Sequence, residues 1–171
     1  METSRMKVVN DDITKMQVDA IVNAANRTLL GGGGVDGAIH RAAGYELLKE
    51  CRQLDGCHTG SAKITNGYQL PAKYVIHAVG PVWRGGGNNE HELLKGCYET
   101  ALKLAAEYNC KSIAFPNIST GIYRFPKEKA AEIAIDTVRN FLSENGLPEE
   151  VYFVCFDTEN YAIYEKLLRD A

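Results

Sequence analysis

The chain reads as an α/β protein on two observations. Short apolar runs alternate with longer amphipathic stretches, and the runs are rich in β-branched and aromatic residues. AIV, YVIHAV and VYFVCF are such runs, with the composition expected of strands buried on both faces. Strands are predicted at Lys7–Val9, Asp19–Asn23, Ser61–Thr65, Tyr74–Val79, Ser112–Pro116 and Val151–Phe156. Helices are predicted at Asp36–Ala43, Tyr45–Gln53, Glu90–Tyr108, Lys127–Glu144 and Asn160–Arg169. In the third of these, Leu93, Leu94, Tyr98, Ala101, Leu102 and Ala105 recur at three- and four-residue steps and form one apolar stripe. Asn145-Gly146 followed by Pro148 stops the fourth. No repeat or linker divides the 171 residues, so a single domain over 1–171 is expected.

Composition excludes several classes of function. Hydrophobic residues make up 45% of the chain and charged residues 24%, a globular balance. A net charge of −3 argues against broad nucleic-acid binding, which needs a basic face. No run approaches the eighteen or so apolar residues of a membrane span, and the polar stretch Met1–Asp12 carries no signal-peptide pattern. Cys51, Cys57, Cys97, Cys110 and Cys155 are odd in number and form no C-x-x-C pair, which points to a reducing cytoplasm. Cys57-His58 alone does not make a zinc site, which needs four ligands at defined spacings. No metal or cofactor is expected. With no exposed apolar stripe in the sequence, a monomer is the default.

Two loop clusters carry the chemistry. Asn23–Asp36 (NAANRTLLGGGGVD) and Pro116–Pro126 (PNISTGIYRFP) each follow a predicted strand and precede a predicted helix. In open α/β sheets ligands sit beyond the carboxyl ends of strands, so the two loops are candidates for one site. Four consecutive glycines, Gly31 to Gly34, each cost on the order of a kcal/mol of backbone entropy relative to alanine. The run suits a backbone that approaches a ligand closely, and it opens a helix whose unpaired N–H groups favour phosphate. On glycine alone, a flexible loop with no ligand is an equal reading. No Gly-Lys-Ser/Thr follows, so this is not a Walker motif. In the second loop, Ser119-Thr120-Gly121-Ile122-Tyr123 can wrap phosphate oxygens with hydroxyl and backbone donors. By itself a plain turn capped by Ser119 or Thr120 explains those residues better. Two facing anion cradles would suit a diphosphate held by amides rather than lysines.

Other residues read two ways. Asp12, after the first strand, can accept a hydrogen bond from an exocyclic amine such as adenine's, or cap a turn. Asn26 and Asp36 flank the glycine loop and can orient sugar hydroxyls and polarise a water. Equally, Asp36 stands where a helix N-cap belongs, and Asn23 and Asn26 can brace the loop. Phe125 and Phe156 can pack on a base or ribose, or fill core. His40, one turn into its helix, reads better as a hydrogen-bonded helix histidine than as a catalyst. No Ser-His-Asp arrangement or nucleophile elbow is present.

Three segments together resemble the signature blocks of MacroD-type macrodomains. They are VDAIVNAANRTLLGGGGVDGAIHRAAG (Val18–Gly44), VIHAVGPVW (Val75–Trp83) and AFPNISTGIYRFP (Ala114–Pro126). The resemblance runs from about Lys7 to Leu168. It implies a three-layer α/β/α fold with a mixed six-stranded sheet and a cleft for ADP-ribose. Carried over by motif, Asp12 would bind the adenine amine, with Ile13 beside it. Gly34, Val35 and Asp36 would line the glycine loop, and Ser119, Thr120, Gly121, Ile122 and Tyr123 would hold the diphosphate. Asn26 would contact the distal ribose, Asp36 would act as base or orient water, Phe125 would lie near the distal ribose and Phe156 against adenine. Two departures stand out: Asp11 replaces the usual glycine before the adenine aspartate, and Arg124 stands where many relatives carry glycine.

The implied activity is hydrolysis of an ester at the distal ribose. Its substrates would be mono-ADP-ribosyl groups on acidic side chains of proteins, or O-acetyl-ADP-ribose. Binding of the remote diphosphate would position the reacting carbon. At Asp36 the helix N-terminus favours the anion while the diphosphate disfavours it. The alternative is a reader module that binds ADP-ribose without turnover, for which the Asn26–Asp36 pair would be unnecessary.

Overall fold

The computed structural model describes residues 2–171; Met1, the first residue of the polar N-terminal stretch, lies outside them. Six strands form one sheet: β1 (Met6–Asn10), β2 (Ala20–Ala24), β3 (Ala62–Asn66), β4 (Tyr74–Ala78), β5 (Ser112–Phe115) and β6 (Glu150–Cys155). Their spatial order is β1-β6-β5-β2-β4-β3. All neighbours run parallel except β3, which pairs antiparallel with β4 at the edge. The helices are α1 (Gly34–Ala43), α2 (Tyr45–Gln53), α3 (Glu90–Glu107), α4 (Lys127–Glu144) and α5 (Thr158–Asp170). Every predicted strand and helix is present, as the α/β reading expects, and the six-stranded sheet is mixed, as the resemblance implies.

Side-chain alternation along each strand sorts the core into two layers. Ala20 and Val22 of β2, Ile76 of β4, and Val151 and Phe153 of β6 face α3, α4 and α5. Ile21, Val75 and Val154 face the opposite way, onto Ile39, Ala43, Leu47 and Cys51 of α1 and α2. Three helices on one face and two on the other make the α/β/α sandwich. Each fully buried leucine or isoleucine in these layers contributes roughly 1.5–3 kcal/mol.

Differences from the sequence reading fall at element ends. Helix α1 starts at Gly34, two residues before the predicted Asp36, because Gly33 takes the extended N-cap conformation. Asp36 is therefore inside the first turn and does not cap the helix. Helix α5 begins earlier than predicted, at Thr158, because Asp157 caps it by accepting a hydrogen bond from the Asn160 N–H at 2.7 Å. Strand β6 is displaced by one residue and ends at Cys155, leaving Phe156 in the following bend. No helix is long and apolar enough to cross a membrane.

Gly96, in the middle of α3, lets that helix close onto the turn before β3: a Cβ there would lie 2.5 Å from the Gly60 carbonyl oxygen. Helix propensity alone favours alanine over glycine by about 1 kcal/mol. The contact reverses that sign, and Gly96→Ala is expected to destabilise the protein by ~1–3 kcal/mol in urea denaturation.

Candidate functional site

Parallel pairing of β1, β6, β5, β2 and β4 brings their carboxyl ends to one edge of the sheet. The segments that follow are, in spatial order, Asp11–Ile13, Phe156, the 116–126 loop, the glycine loop and the 79–89 loop. With strands about 4.8 Å apart, these five segments line up over roughly 19 Å. The two loops singled out in the sequence follow β5 and β2, which are hydrogen-bonded neighbours.

The glycine loop ends in an open helix N-terminus. Helical bonding in α1 begins with the Gly37 N–H donating to the Gly33 carbonyl at 3.2 Å. The N–H groups of Gly34, Val35 and Asp36 thus have no acceptor within the helix. Gly31 and Gly34 sit at φ +95° and +57°, the left-handed region that favours glycine. A Cβ at Gly33 or Gly34 would meet nothing within 4 Å, so this side of the loop is open. Asn26 folds the loop into shape: its Nδ2 donates to the Gly31 carbonyl at 3.0 Å. Its Oδ1 accepts from the Thr28 hydroxyl at 2.7 Å and the Leu29 N–H at 3.1 Å. Loop bracing, one of the two readings of Asn26, is its visible role.

Asp36 lies behind this opening, only 5% exposed. Asn23, at the end of β2, donates from Nδ2 to Asp36 Oδ1 at 2.8 Å. His40 Nε2, one turn along α1, faces the same oxygen at 3.4 Å without completing a hydrogen bond. The second oxygen, Oδ2, faces the glycine loop beside the Asn26 amide: a Cβ on Gly32 would lie 3.3 Å from Oδ2 and 3.5 Å from Asn26 Nδ2. Burial raises the Asp36 pKa above the ordinary carboxylate value, while Asn23 and His40 oppose that shift. The result is a desolvated carboxylate with one oxygen anchored and one aimed at the loop.

The 116–126 loop is strained where it turns. Ser119 is buried with φ +67°, and its Oγ has no hydrogen-bond partner. Its carbonyl accepts from the Phe125 N–H at 2.9 Å, and Thr120 Oγ1 donates to the Asn117 carbonyl at 3.2 Å. Arg124, at φ +64°, also occupies the left-handed region, which favours glycine. Ile122 is 92% exposed at the tip. The 79–89 loop clamps this one, with the Trp83 N–H donating to the Tyr123 carbonyl at 2.8 Å. Trp83 also packs on Phe125 with ring centroids 4.8 Å apart. Phe125 is buried, so it fills core as well as backing the loop.

At the other end, Asp12 caps the short 3-10 turn Ile13–Lys15. Its Oδ1 accepts from Thr14 N at 3.0 Å and Thr14 Oγ1 at 2.7 Å, and these bonds lower its pKa. Among the described residues Oδ2 has no partner, so the cap and an amine-accepting role are compatible. Ile13 is buried in the core beneath. Phe156 is 88% exposed, with its face free. Asp11 turns its Oδ1 back to the Asp12 N–H at 2.7 Å.

Three contributors escaped the sequence reading. Glu90 is buried and accepts from the N–H groups of Arg84 (2.7 Å), Gly86 (3.1 Å) and Asn88 (2.6 Å). Burial pushes its carboxyl up, but the backbone donors outweigh this and hold it at about 2. Gly80 makes room for Ser119: a Cβ there would lie 2.2 Å from Ser119 Oγ. His77, fully buried in β4, stands in register beside Asn23. The only signal for His77 in the sequence was a histidine inside an otherwise apolar run. Among the described residues, no group of three or more His, Cys, Asp or Glu is placed to hold a metal.

A buried carboxylate under a glycine-opened helix N-terminus, with hydroxyl-rich and amide-rich loops beside it, thus stands at the carboxyl edge of the sheet, where open α/β proteins bind ligands. Residues 22–134 match the Macro domain family. A Macro domain-containing protein of Methanosarcina mazei is 59% identical over 98% of this chain and 90% of its own length. The O-acetyl-ADP-ribose deacetylase of Escherichia coli is 57% identical over 96% of both chains. The structure of an Oceanobacillus iheyensis macrodomain with ADP superposes with a TM-score of 0.91 at 46% identity, covering 95% of this chain and 89% of that one. A Trypanosoma brucei macrodomain in complex with ADP-ribose gives a TM-score of 0.90 at 46% identity, covering 96% of this chain and 69% of that one. The chain belongs to the Macro domain family.

Two outcomes follow from the loop geometry. Gly80→Ala is expected to cost ~1–3 kcal/mol in urea denaturation, while Gly121→Ala, whose Cβ meets nothing within 4 Å, stays within about 0.5 kcal/mol. Glu90 has a depressed folded pKa, so its stabilising effect is full above its ordinary value of 4.5 and is lost as pH falls towards about 2. Glu90→Gln should therefore lower Tm at neutral pH, and the gap to wild type should close over that acid window in thermal scans.

Proposed function

We propose that this protein binds ADP-ribose along the loop edge and hydrolyses esters at its distal ribose. The substrates would be O-acetyl-ADP-ribose and mono-ADP-ribose linked to acidic side chains of proteins. The observation that carries this reading is Asp36: a desolvated carboxylate with one oxygen anchored by Asn23 and the other turned to the glycine loop. The deacetylase name of the Escherichia coli relative and the ADP-ribose complex of the Trypanosoma brucei macrodomain support the ligand and the reaction class.

In this reading adenine lies on Phe156 with its amine toward Asp12 Oδ2, beside Ile13. The diphosphate lies between the N–H groups of Gly34, Val35 and Asp36 and the Ser119–Tyr123 loop, where the helix dipole and the backbone donors neutralise it without lysines. The distal ribose reaches Asn26 and Asp36, with Phe125 backing the loop. Asp36 Oδ2 orients a water and accepts its proton as the oxygen adds to the ester carbonyl carbon. The acyl–oxygen bond then breaks, the ribose oxygen takes a proton, and a carboxylic acid leaves. Anchoring the diphosphate fixes the ester relative to Asp36, so remote binding energy serves the chemical step. Five cysteines, all free and buried, fit a reducing cytoplasm, and we take the chain to act as one domain and as a monomer.

The test compares wild type with Asp36→Ala on O-acetyl-ADP-ribose and on a protein mono-ADP-ribosylated at glutamate, with calorimetry on free ADP-ribose. Wild type should turn over at least one ester. The variant should lose about 10²–10⁴-fold in kcat while keeping its ADP-ribose affinity within a few-fold. Tight ADP-ribose binding by wild type with no release from either ester would make the protein a reader and overturn the catalytic role of Asp36.

A further inference from the structure

A buried chain of hydrogen bonds runs behind Asp36 and ends on the main chain of the edge strand. Asn23 and His77 are paired in register on β2 and β4. Both have 0% exposure. Asn23 Nδ2 lies 2.8 Å from Asp36 Oδ1 and 3.2 Å from His77 Nδ1. The other ring nitrogen, His77 Nε2, lies 2.9 Å from Thr65 Oγ1. Thr65 Oγ1 in turn donates to the Asn66 carbonyl at 3.1 Å.

The direction of every proton in this chain follows from its two ends. A carbonyl oxygen only accepts, so the Thr65 hydroxyl proton points to Asn66 and the Thr65 oxygen is left to accept from His77 Nε2–H. With its proton on Nε2, neutral His77 has a lone pair at Nδ1, which accepts one proton of the Asn23 amide. The second amide proton then goes to Asp36, as an anionic carboxylate requires. With the opposite tautomer, Nδ1–H would call for the Asn23 oxygen. The amide would turn over and set that oxygen against the carboxylate.

We propose that His77 is a positioning residue: acting through the Asn23 amide, it fixes the orientation of the Asp36 carboxylate and favours its anionic form. The functional consequence rests on the reading of Asp36 as the base; the hydrogen-bond assignment does not. Burial keeps His77 neutral, with its pKa lowered to about 3, so the relay keeps one direction across the physiological range. Other groups face the pair. His40 of α1 lies 6.3 Å from His77 between ring centroids and 3.4 Å from Asp36 Oδ1. Cys51 of α2 lies 3.8 Å from His77 Nε2, with its thiol pushed up to about 11 by burial and by the Glu50 and Asp36 charges, and so stays protonated. No lysine or arginine pairs with Asp36 among the described residues.

The experiment has two readouts that do not depend on turnover: the tautomer of His77 from nitrogen-15 NMR, and the titration of Asp36 from carboxyl carbon-13 NMR. In wild type, His77 should be the neutral Nε2–H tautomer and should not titrate between about pH 5 and 8. His77→Asn puts an amide oxygen near the place of Nδ1 and should leave the Asp36 midpoint close to wild type. His77→Phe removes the acceptor. Thr65→Val, remote from Asp36 and near-isosteric, removes the acceptor that fixes the tautomer and serves if the phenylalanine variant does not fold. Both should move the Asp36 midpoint upward by about one pH unit, and should lower kcat about ten-fold or more at neutral pH with little change in KM. An Nδ1–H tautomer in wild type would overturn the proposal. So would Thr65→Val and His77→Phe that lower Tm while leaving the Asp36 midpoint at its wild-type value. If the midpoints move as expected but wild type hydrolyses neither ester, the positioning stands and the hydrolase reading fails.

Discussion

The site depends on one constraint: a carboxylate buried in the first turn of a helix must find donors there. Asp36 has lost most of its water, and an unpaired buried charge costs several kcal/mol. The first turn of α1 supplies a favourable dipole, and Asn23 supplies a hydrogen bond at 2.8 Å. That bond ties α1 to the end of β2 and fixes how the preceding glycines must run. Gly32 passes close to Asp36 Oδ2, where a side chain would press on that oxygen and touch the Asn26 amide. Gly31 and Gly34 then take positive φ values to complete the turn into the helix. Glycine at positions 31, 32 and 34 is thus a consequence of placing a carboxylate under an open helix end.

The second loop is held from outside itself. Ser119 adopts a left-handed conformation with an orphaned hydroxyl, a state that persists only where surroundings over-determine it. Gly80 leaves the space, Trp83 binds the Tyr123 carbonyl, and Glu90 gathers three backbone N–H groups to stiffen the loop that carries Trp83. Glu90 acts there as an internal anion. Loops that must present donors to a ligand cannot spend those donors on each other, so their rigidity comes from neighbours.

Much of this was legible in the residues. Six strands and five helices follow from periodicity and β-branched content, because burial on a sheet face or a helix stripe selects residue types at fixed spacing. The glycine run and the Ser-Thr-Gly turn announced themselves by position between strand and helix. Asp36 was harder. Its place before an apolar helix suited an N-cap, and only the extended conformation of Gly33 moves the helix start upstream of it. Asn23 read only as a loop brace, and its β2 position instead turns it to the α1 face and onto Asp36. Phe125 and Phe156 carried the same two readings and part company in the structure, one buried and one exposed.

The sequence by itself determined the elements, the two loops that close on the site, and the kinship of the chain, since these depend on residue types at local spacings. Tertiary structure alone decided the partners. Strand order put the β2 and β5 loops side by side, and register set His77 against Asn23. Asn23 lies 54 positions from His77 along the chain and 13 from Asp36. Hydrogen bonds reach about 3 Å, and no local pattern records which distant groups the fold will bring within that distance.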